Sequence, residues 1–180
     1  MRIIDSAVPD FPALQELILA VGFPWYYARQ TKPAEGQPVN PFLHGWVHMV
    51  FDNGVYYSEF ADKIFAWVGP ALVQAGESVS MLHRIRIVLN VITDQPYLNG
   101  AHVDLPNYPH KTALIYMNDS DGKTVIYNER WQPGYDGPFT VAQEIDAVAN
   151  RMLIFDGMRY HSGTTPAKTP RRVILNVNYE

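Results

Sequence analysis

From about residue 80 to its last residue the chain is a succession of short β-rich runs with no helix-length pattern between them. Residues 83–91, 112–117, 124–127, 139–145, 152–155 and 172–179 are rich in Val, Ile, Leu, Tyr and Thr. Turn formers separate them, as in Asn118-Asp119-Ser120-Asp121-Gly122, Pro133-Gly134 and Asp156-Gly157. Parallel strands need long crossovers, usually helices, so this spacing favours antiparallel pairing. About eight strands preceded by helices predict a mostly β domain, a jelly-roll with its N-terminal helices packed on one face.

The first third is mixed. Residues 11–21 carry Leu14, Leu17, Ile18 and Val21 at helical spacing, and residues 58–75 form the strongest helical pattern, with Phe60, Ile64, Phe65 and Val68 on one stripe. Ser58 is placed to cap that helix, and Pro70 is expected to kink or divide it. Residues 28–41 hold several Pro, Gly and Gln and are expected to form a loop. No repeat or charge block marks a boundary. One domain over residues 1–180 follows, with a helical and loop part to about residue 80 and the barrel core beyond it.

Composition narrows the chemistry. The chain has no cysteine, so thiolate metal sites, disulfides and cysteine nucleophiles are excluded and any metal must be held by His and carboxylates. A net charge of −4 argues against a broad duplex nucleic-acid face. No apolar run is long enough to span a membrane, and the first residues do not form a signal peptide, so a cytoplasmic protein without a membrane partner is expected.

Within the β-rich part, His102-Val103-Asp104 sets two ligand types at i and i+2, which on a strand face the same way. A further histidine, His161, lies 57 positions beyond Asp104, far enough for intervening strands to bring it beside the pair. Two imidazoles and one carboxylate on one face of a metal leave three positions open, which suits Fe(II) chemistry in which a co-substrate and O2 both coordinate. The last strand alternates. Val173, Leu175 and Val177 form one face, and Arg172, Ile174, Asn176 and Asn178 the other. Polar groups on a half-buried face need polar partners, and a guanidinium fork matches a carboxylate. Arg172 is therefore expected to receive a carboxylate in the metal's cavity, whereas Arg171 falls on the opposite face.

His102-x-Asp104, the distal His161 and a basic residue some ten positions later in a terminal strand together resemble the Fe(II)/2-oxoglutarate-dependent dioxygenases, most of all the prolyl-4-hydroxylase-like branch. The resemblance covers roughly residues 83–179 and implies a double-stranded β-helix with His102, Asp104 and His161 as catalytic iron ligands. It further implies that Tyr116, in Leu114-Ile115-Tyr116-Met117-Asn118, joins Arg172 on the far carboxylate of 2-oxoglutarate. Asn176 and Asn178 would line the pocket, and Asn90 would reach co-substrate or substrate. Gly122-Lys123-Thr124 departs from the paired glycines many relatives carry there. The implied activity is O2-dependent hydroxylation of a peptide or small molecule, with peptidyl proline as the leading substrate.

Two other readings use the same residues. A cupin-type metalloenzyme would bind metal without 2-oxoglutarate, and a non-catalytic jelly-roll would use His102 and His161 for packing alone. Among the remaining residues, His44 and His48 are expected to be structural or to face substrate. The 94–101 loop with Tyr97, the 129–137 insertion with Trp131, and Tyr108 with Lys111 are expected around the barrel mouth. The Trp25-Tyr26-Tyr27 cluster is expected to pack or to form an aromatic wall.

Overall fold

The computed structural model describes residues 1–29 and 44–180. In chain order the elements are β1 (Arg2–Ile4), α1 (Phe11–Leu19), β2 (Tyr26–Arg29), β3 (His44–Asp52), β4 (Val55–Tyr56) and α2 (Ala61–Gln74). The barrel strands follow as β5 (Leu82–Val91), β6 (Lys111–Tyr116), β7 (Ser120–Arg130), β8 (Val141–Ala147), β9 (Met152–Asp156), β10 (Arg159–Gly163) and β11 (Arg171–Tyr179). A large sheet runs β1-β9-β6-β11-β5-β3-β2, with β4 hung on β3, and a small sheet runs β10-β7-β8. Every strand pairing is antiparallel. Isolated bridges Leu98↔Thr164 and His102↔His161 lay the segment before β6 along the edge of β10.

From β5 onward the chain therefore passes from large sheet to small and back: β5, segment 98–102, β6, β7, β8, β9, β10, β11. That winding is a double-stranded β-helix. Its two sheets close on Leu114, Tyr116, Leu153, Phe155 and Ile174 from one side and Ile126, Ile145 and Ala147 from the other. The outer face of the large sheet presents Ile85, Ile87, Ile115, Val173, Leu175 and Val177 to Leu14, Ile18, Ile64 and Val68 of the helices. Period-two alternation along β11 thus divides its residues between an apolar outer core and a polar interior. Each buried aliphatic side chain on the outer face contributes roughly 1.5–3 kcal/mol, which holds the helices to the sheet.

Several local expectations are corrected. Helix α1 stops at Leu19 and leaves Val21 fully exposed. Helix α2 begins at Ala61, and Ser58 does not cap it: its hydroxyl accepts from the Phe60 amide and meets His48 instead. Pro70 neither ends nor divides α2. It sits on the solvent side, where water can serve the carbonyl left without a donor. Strand β7 starts at Ser120, earlier than expected, and β10 was not anticipated at all. Nor were β2 and β3, which extend the large sheet beyond β5. Of the expected 28–41 loop, residues 28 and 29 complete β2 and the remainder lies outside the described residues.

Candidate active site

His102 and His161 face each other through a reciprocal backbone pair, with N···O distances of 3.0 and 2.9 Å. Their rings stand 4.6 Å apart between centroids. The i, i+2 argument expected a strand at His102-Val103-Asp104; instead His102 makes one bridge and the chain bends at Asp104. The bend still turns the carboxylate to the histidines. Asp104 Oδ1 lies 4.0 Å from His102 Nε2, and Oδ2 lies 3.6 Å from His161 Nε2. One ligand atom from each of the three residues falls within 4.8 Å of the others.

The second ring nitrogens settle which atoms are offered. His102 Nδ1 lies 3.0 Å from the Gly100 carbonyl and His161 Nδ1 lies 3.2 Å from the Arg159 carbonyl. A carbonyl only accepts, so each Nδ1 carries a hydrogen and each ring turns its Nε2 toward Asp104. Burial pushes the His102 imidazolium down to about 4, and the neighbouring His161 adds to this, so the ring is a neutral donor at ordinary pH. The ring keeps 44% of its side-chain surface exposed at the cavity mouth, whereas Asp104 has none.

Asp104 is held from several sides. Arg86 Nη2 donates to Oδ1 at 2.5 Å, and Arg84 Nη2 lies 3.1 Å from the same oxygen. Asn176 and Asn178 donate to Oδ2 at 2.9 and 3.1 Å. Register explains the convergence: Arg86 pairs with Asn176 and Arg84 with Asn178 across β5 and β11, all on the inner face. Burial alone would raise the Asp104 carboxyl, but Arg86, His161 and Arg84 outweigh it and hold the group well below the carboxylate range. It is an anion throughout the physiological range.

The triad opens into a cavity of about 520 Å³. At its far end lies Arg172, 3% exposed, whose Nε donates to the Gly122 carbonyl at 3.1 Å and whose Nη2 donates to Thr124 Oγ1 at 2.6 Å. Among the described residues no carboxylate forms an ion pair with it. A buried guanidinium without a counter-ion is costly, so an anion entering this end of the cavity would be stabilised there. Two glycines make room for it: a Cβ on Gly122 would stand 2.8 Å from Arg172 Cδ, and one on Gly163 would stand 3.2 Å from Nη1.

Against this geometry the solved structures can be compared. An oxidoreductase of the 2OG-Fe(II) oxygenase family from Burkholderia pseudomallei aligns with a TM-score of 0.66 at 14% identity, over 99% of this chain and 84% of that one. The chain has the fold of these oxygenases. The non-haem alpha-ketoglutarate-dependent epimerase of nogalamycin biosynthesis aligns at 0.62 and 14% identity over 99% and 76% of the two chains. A prolyl hydroxylase from Trichoplax adhaerens, in complex with a hypoxia-inducible factor peptide, aligns at 0.60 and 15% identity over 99% and 82%. No family model and no curated protein matches the sequence.

Within this oxygenase fold the anticipated residues take unequal positions. Arg172, Asn90 and Asn176 line the cavity with the triad. Arg171 is exposed. Tyr116 is fully buried and does not line the cavity; its hydroxyl donates at 2.7 Å to Oγ1 of Thr124, which does. Asn178 is buried behind Asp104, bonded to it and to Thr112. His48 is structural, with ring nitrogens on the Pro24 carbonyl and Ser58, while His44 borders the cavity. The Tyr97 backbone is tied to the amide and hydroxyl of Thr165, and Trp131 packs against the cluster of Val125, Tyr127 and Tyr160. Residues not anticipated are Thr124, Arg84 and Arg86, and the wall formed by Val47 and Met49 of β3. The arginines were readable: Arg84 and Arg86 alternate with Ile85 and Ile87, the pattern that singled out Arg172.

Proposed function

We propose that this chain is an Fe(II)- and 2-oxoglutarate-dependent oxygenase. His102, Asp104 and His161 would hold the metal, and Arg172 with Thr124 would hold the distal carboxylate of the co-substrate. The observation that carries this reading is one cavity containing both a two-His, one-carboxylate donor set and a buried, uncountered guanidinium. The cupin-type alternative leaves Arg172 without a purpose, and the non-catalytic alternative leaves unexplained why both Nε2 atoms converge on one buried carboxylate inside an open cavity.

When bound, iron, 2-oxoglutarate and O2 supply the oxidising chemistry, with succinate and CO2 as co-products. The chain's own residues orient and isolate that chemistry. Asn176 and Asn178 fix one oxygen of Asp104 while Arg86 and Arg84 fix the other, so the carboxylate presents a set direction to the metal. Both imidazoles are locked by Nδ1–H bonds to backbone carbonyls. Leu114 and Ile174 line the path between the triad and Arg172 and keep it dry, which strengthens the guanidinium–carboxylate pair. Asn90, opposite Arg172 in the β5–β11 register, is placed to donate to the co-substrate. The resemblance makes a prolyl residue of a peptide the first substrate to try.

Anaerobic titration of the metal-free protein with Fe(II) and 2-oxoglutarate tests the reading. A weak visible charge-transfer band is expected, absent in His161→Ala and requiring more 2-oxoglutarate in Arg172→Ala. Metal binding without the band points to the cupin-type enzyme, and no metal binding refutes the assignment.

A further inference from the structure

On the floor of the cavity the cations outnumber the groups available to answer them. On the oxygenase reading Arg172 would answer the distal carboxylate of the co-substrate, and the charge of the metal would be answered by Asp104 and the remaining carboxylate. Arg84 is buried beside Asp104, with Asp52 as a further counter-charge, and has its own bond to Asn178 at 3.2 Å. Among the described residues this leaves Arg86 as the cation without a dedicated partner. Its Nη2 shares Asp104 with Arg84 and the metal site, and its Nε is buried with no hydrogen-bond partner. A buried guanidinium N–H left unpaired costs about 1–3 kcal/mol, so its retention on a cavity wall calls for an acceptor that arrives with a ligand.

The position of Arg86 identifies that ligand as the substrate. Arg172 pairs with Asn90 at one end of the β5–β11 register, and Arg86 pairs with Asn176 four residues along, at the triad. On its other side Arg86 pairs with Met49, and the next inward pair is Val88 with Val47, all four lining the cavity. Around Arg86 the side chains that β3 and β5 turn into the cavity are the apolar Met49, Val47 and Val88, and Arg86 itself stands four residues along β5 from the Asn90–Arg172 pair. The geometry points to a substrate that carries a carboxylate beside an apolar body, the carboxylate being received by Arg86 next to the metal. The inference rests on the oxygenase reading above and narrows it: a prolyl substrate would be a C-terminal proline rather than an internal one.

Two acid–amide pairs test this, N-acetylproline against N-acetylprolinamide and octanoate against octanamide. Each would be titrated anaerobically into the Fe(II)- and 2-oxoglutarate-loaded protein, read by perturbation of the charge-transfer band, and into the metal-free protein, read by calorimetry. At least one acid is expected to bind on the order of tenfold or more tightly than its amide. That preference should disappear in Arg86→Gln and survive in Arg86→Lys, which keeps the charge if the first variant folds poorly. Equal binding of acid and amide, no binding of either acid at millimolar concentration, or an unchanged preference in Arg86→Gln would overturn the inference. Absence of the band with the acid preference intact in the metal-free protein would instead remove the oxygenase reading and leave the role of Arg86 standing.

Discussion

At the scale of single residues, the site depends most on Asp104, whose side chain has no exposed surface and is the common acceptor for two arginines and two asparagines. Removing one member of such a buried group strands the others. Asp104→Ala should therefore abolish metal binding and also destabilise the metal-free fold by about 3 kcal/mol, measured by urea unfolding. His102→Ala should abolish metal binding as well, but with under about 1 kcal/mol of destabilisation, because the ring is half in solvent. Equal stability losses would contradict the burial contrast. A second pair of variants separates Thr124 from Tyr116. Thr124→Val removes the hydroxyl that joins Arg172 to the cavity, and should raise the 2-oxoglutarate concentration needed for the band about tenfold. Tyr116→Phe removes a donor behind Thr124, and should have a smaller effect.

At the scale of elements, the close approach of β3 to β5 sets the width of the apolar wall. Gly45 is the residue that permits it, since a Cβ there would stand 2.8 Å from the Leu89 carbonyl and 3.2 Å from Asn90 Nδ2. The first contact is with backbone and cannot rotate away. Gly45→Ala should push β3 outward and displace Asn90, costing roughly 1–3 kcal/mol in a thermal or urea unfolding measurement. Band titration should show weaker co-substrate binding in the same variant, because Asn90 faces Arg172. Wild-type behaviour in both measurements would mean that the strands part without moving the pocket.

At the scale of the molecule, two buried histidines that are not themselves among the proposed metal ligands, His48 and His110, link pH to stability. His48 and His110 both lie below the ordinary value of 6.5, chiefly through burial. A depressed imidazolium means that the unfolded chain binds more protons, so stability is full above 6.5 and falls as pH drops below it. Thermal unfolding of the metal-free protein should show a falling Tm from pH 7.5 to pH 5. His48→Gln, which keeps polar atoms toward the Pro24 carbonyl and Ser58, should flatten that slope. An unchanged slope would show that other groups control the acid limb.

What the sequence determined by itself was the part written in period two. Alternation along residues 172–179 assigned the outer apolar face and the inner polar one, and the antiparallel strands followed from short runs and turns without crossover helices. His102, Asp104 and His161 were legible as ligand types at a suggestive spacing, and Arg172 as an inward cation. Tertiary structure decided the rest, because the deciding contacts lie between strands far apart in the chain. Strands β2 and β3 were hidden, since an aromatic run such as His44-Gly45-Trp46-Val47-His48 carries no clean alternation and shows its faces only once paired with β5. Thr124 entered the site because Tyr116 and Arg172 both end on its hydroxyl. Arg84 and Arg86 gained their meaning from the register that sets them opposite Asn178 and Asn176, around one buried carboxylate. Local sequence encodes which face a side chain takes; which partner waits across that face depends on sheet register, and register is a property of the whole fold.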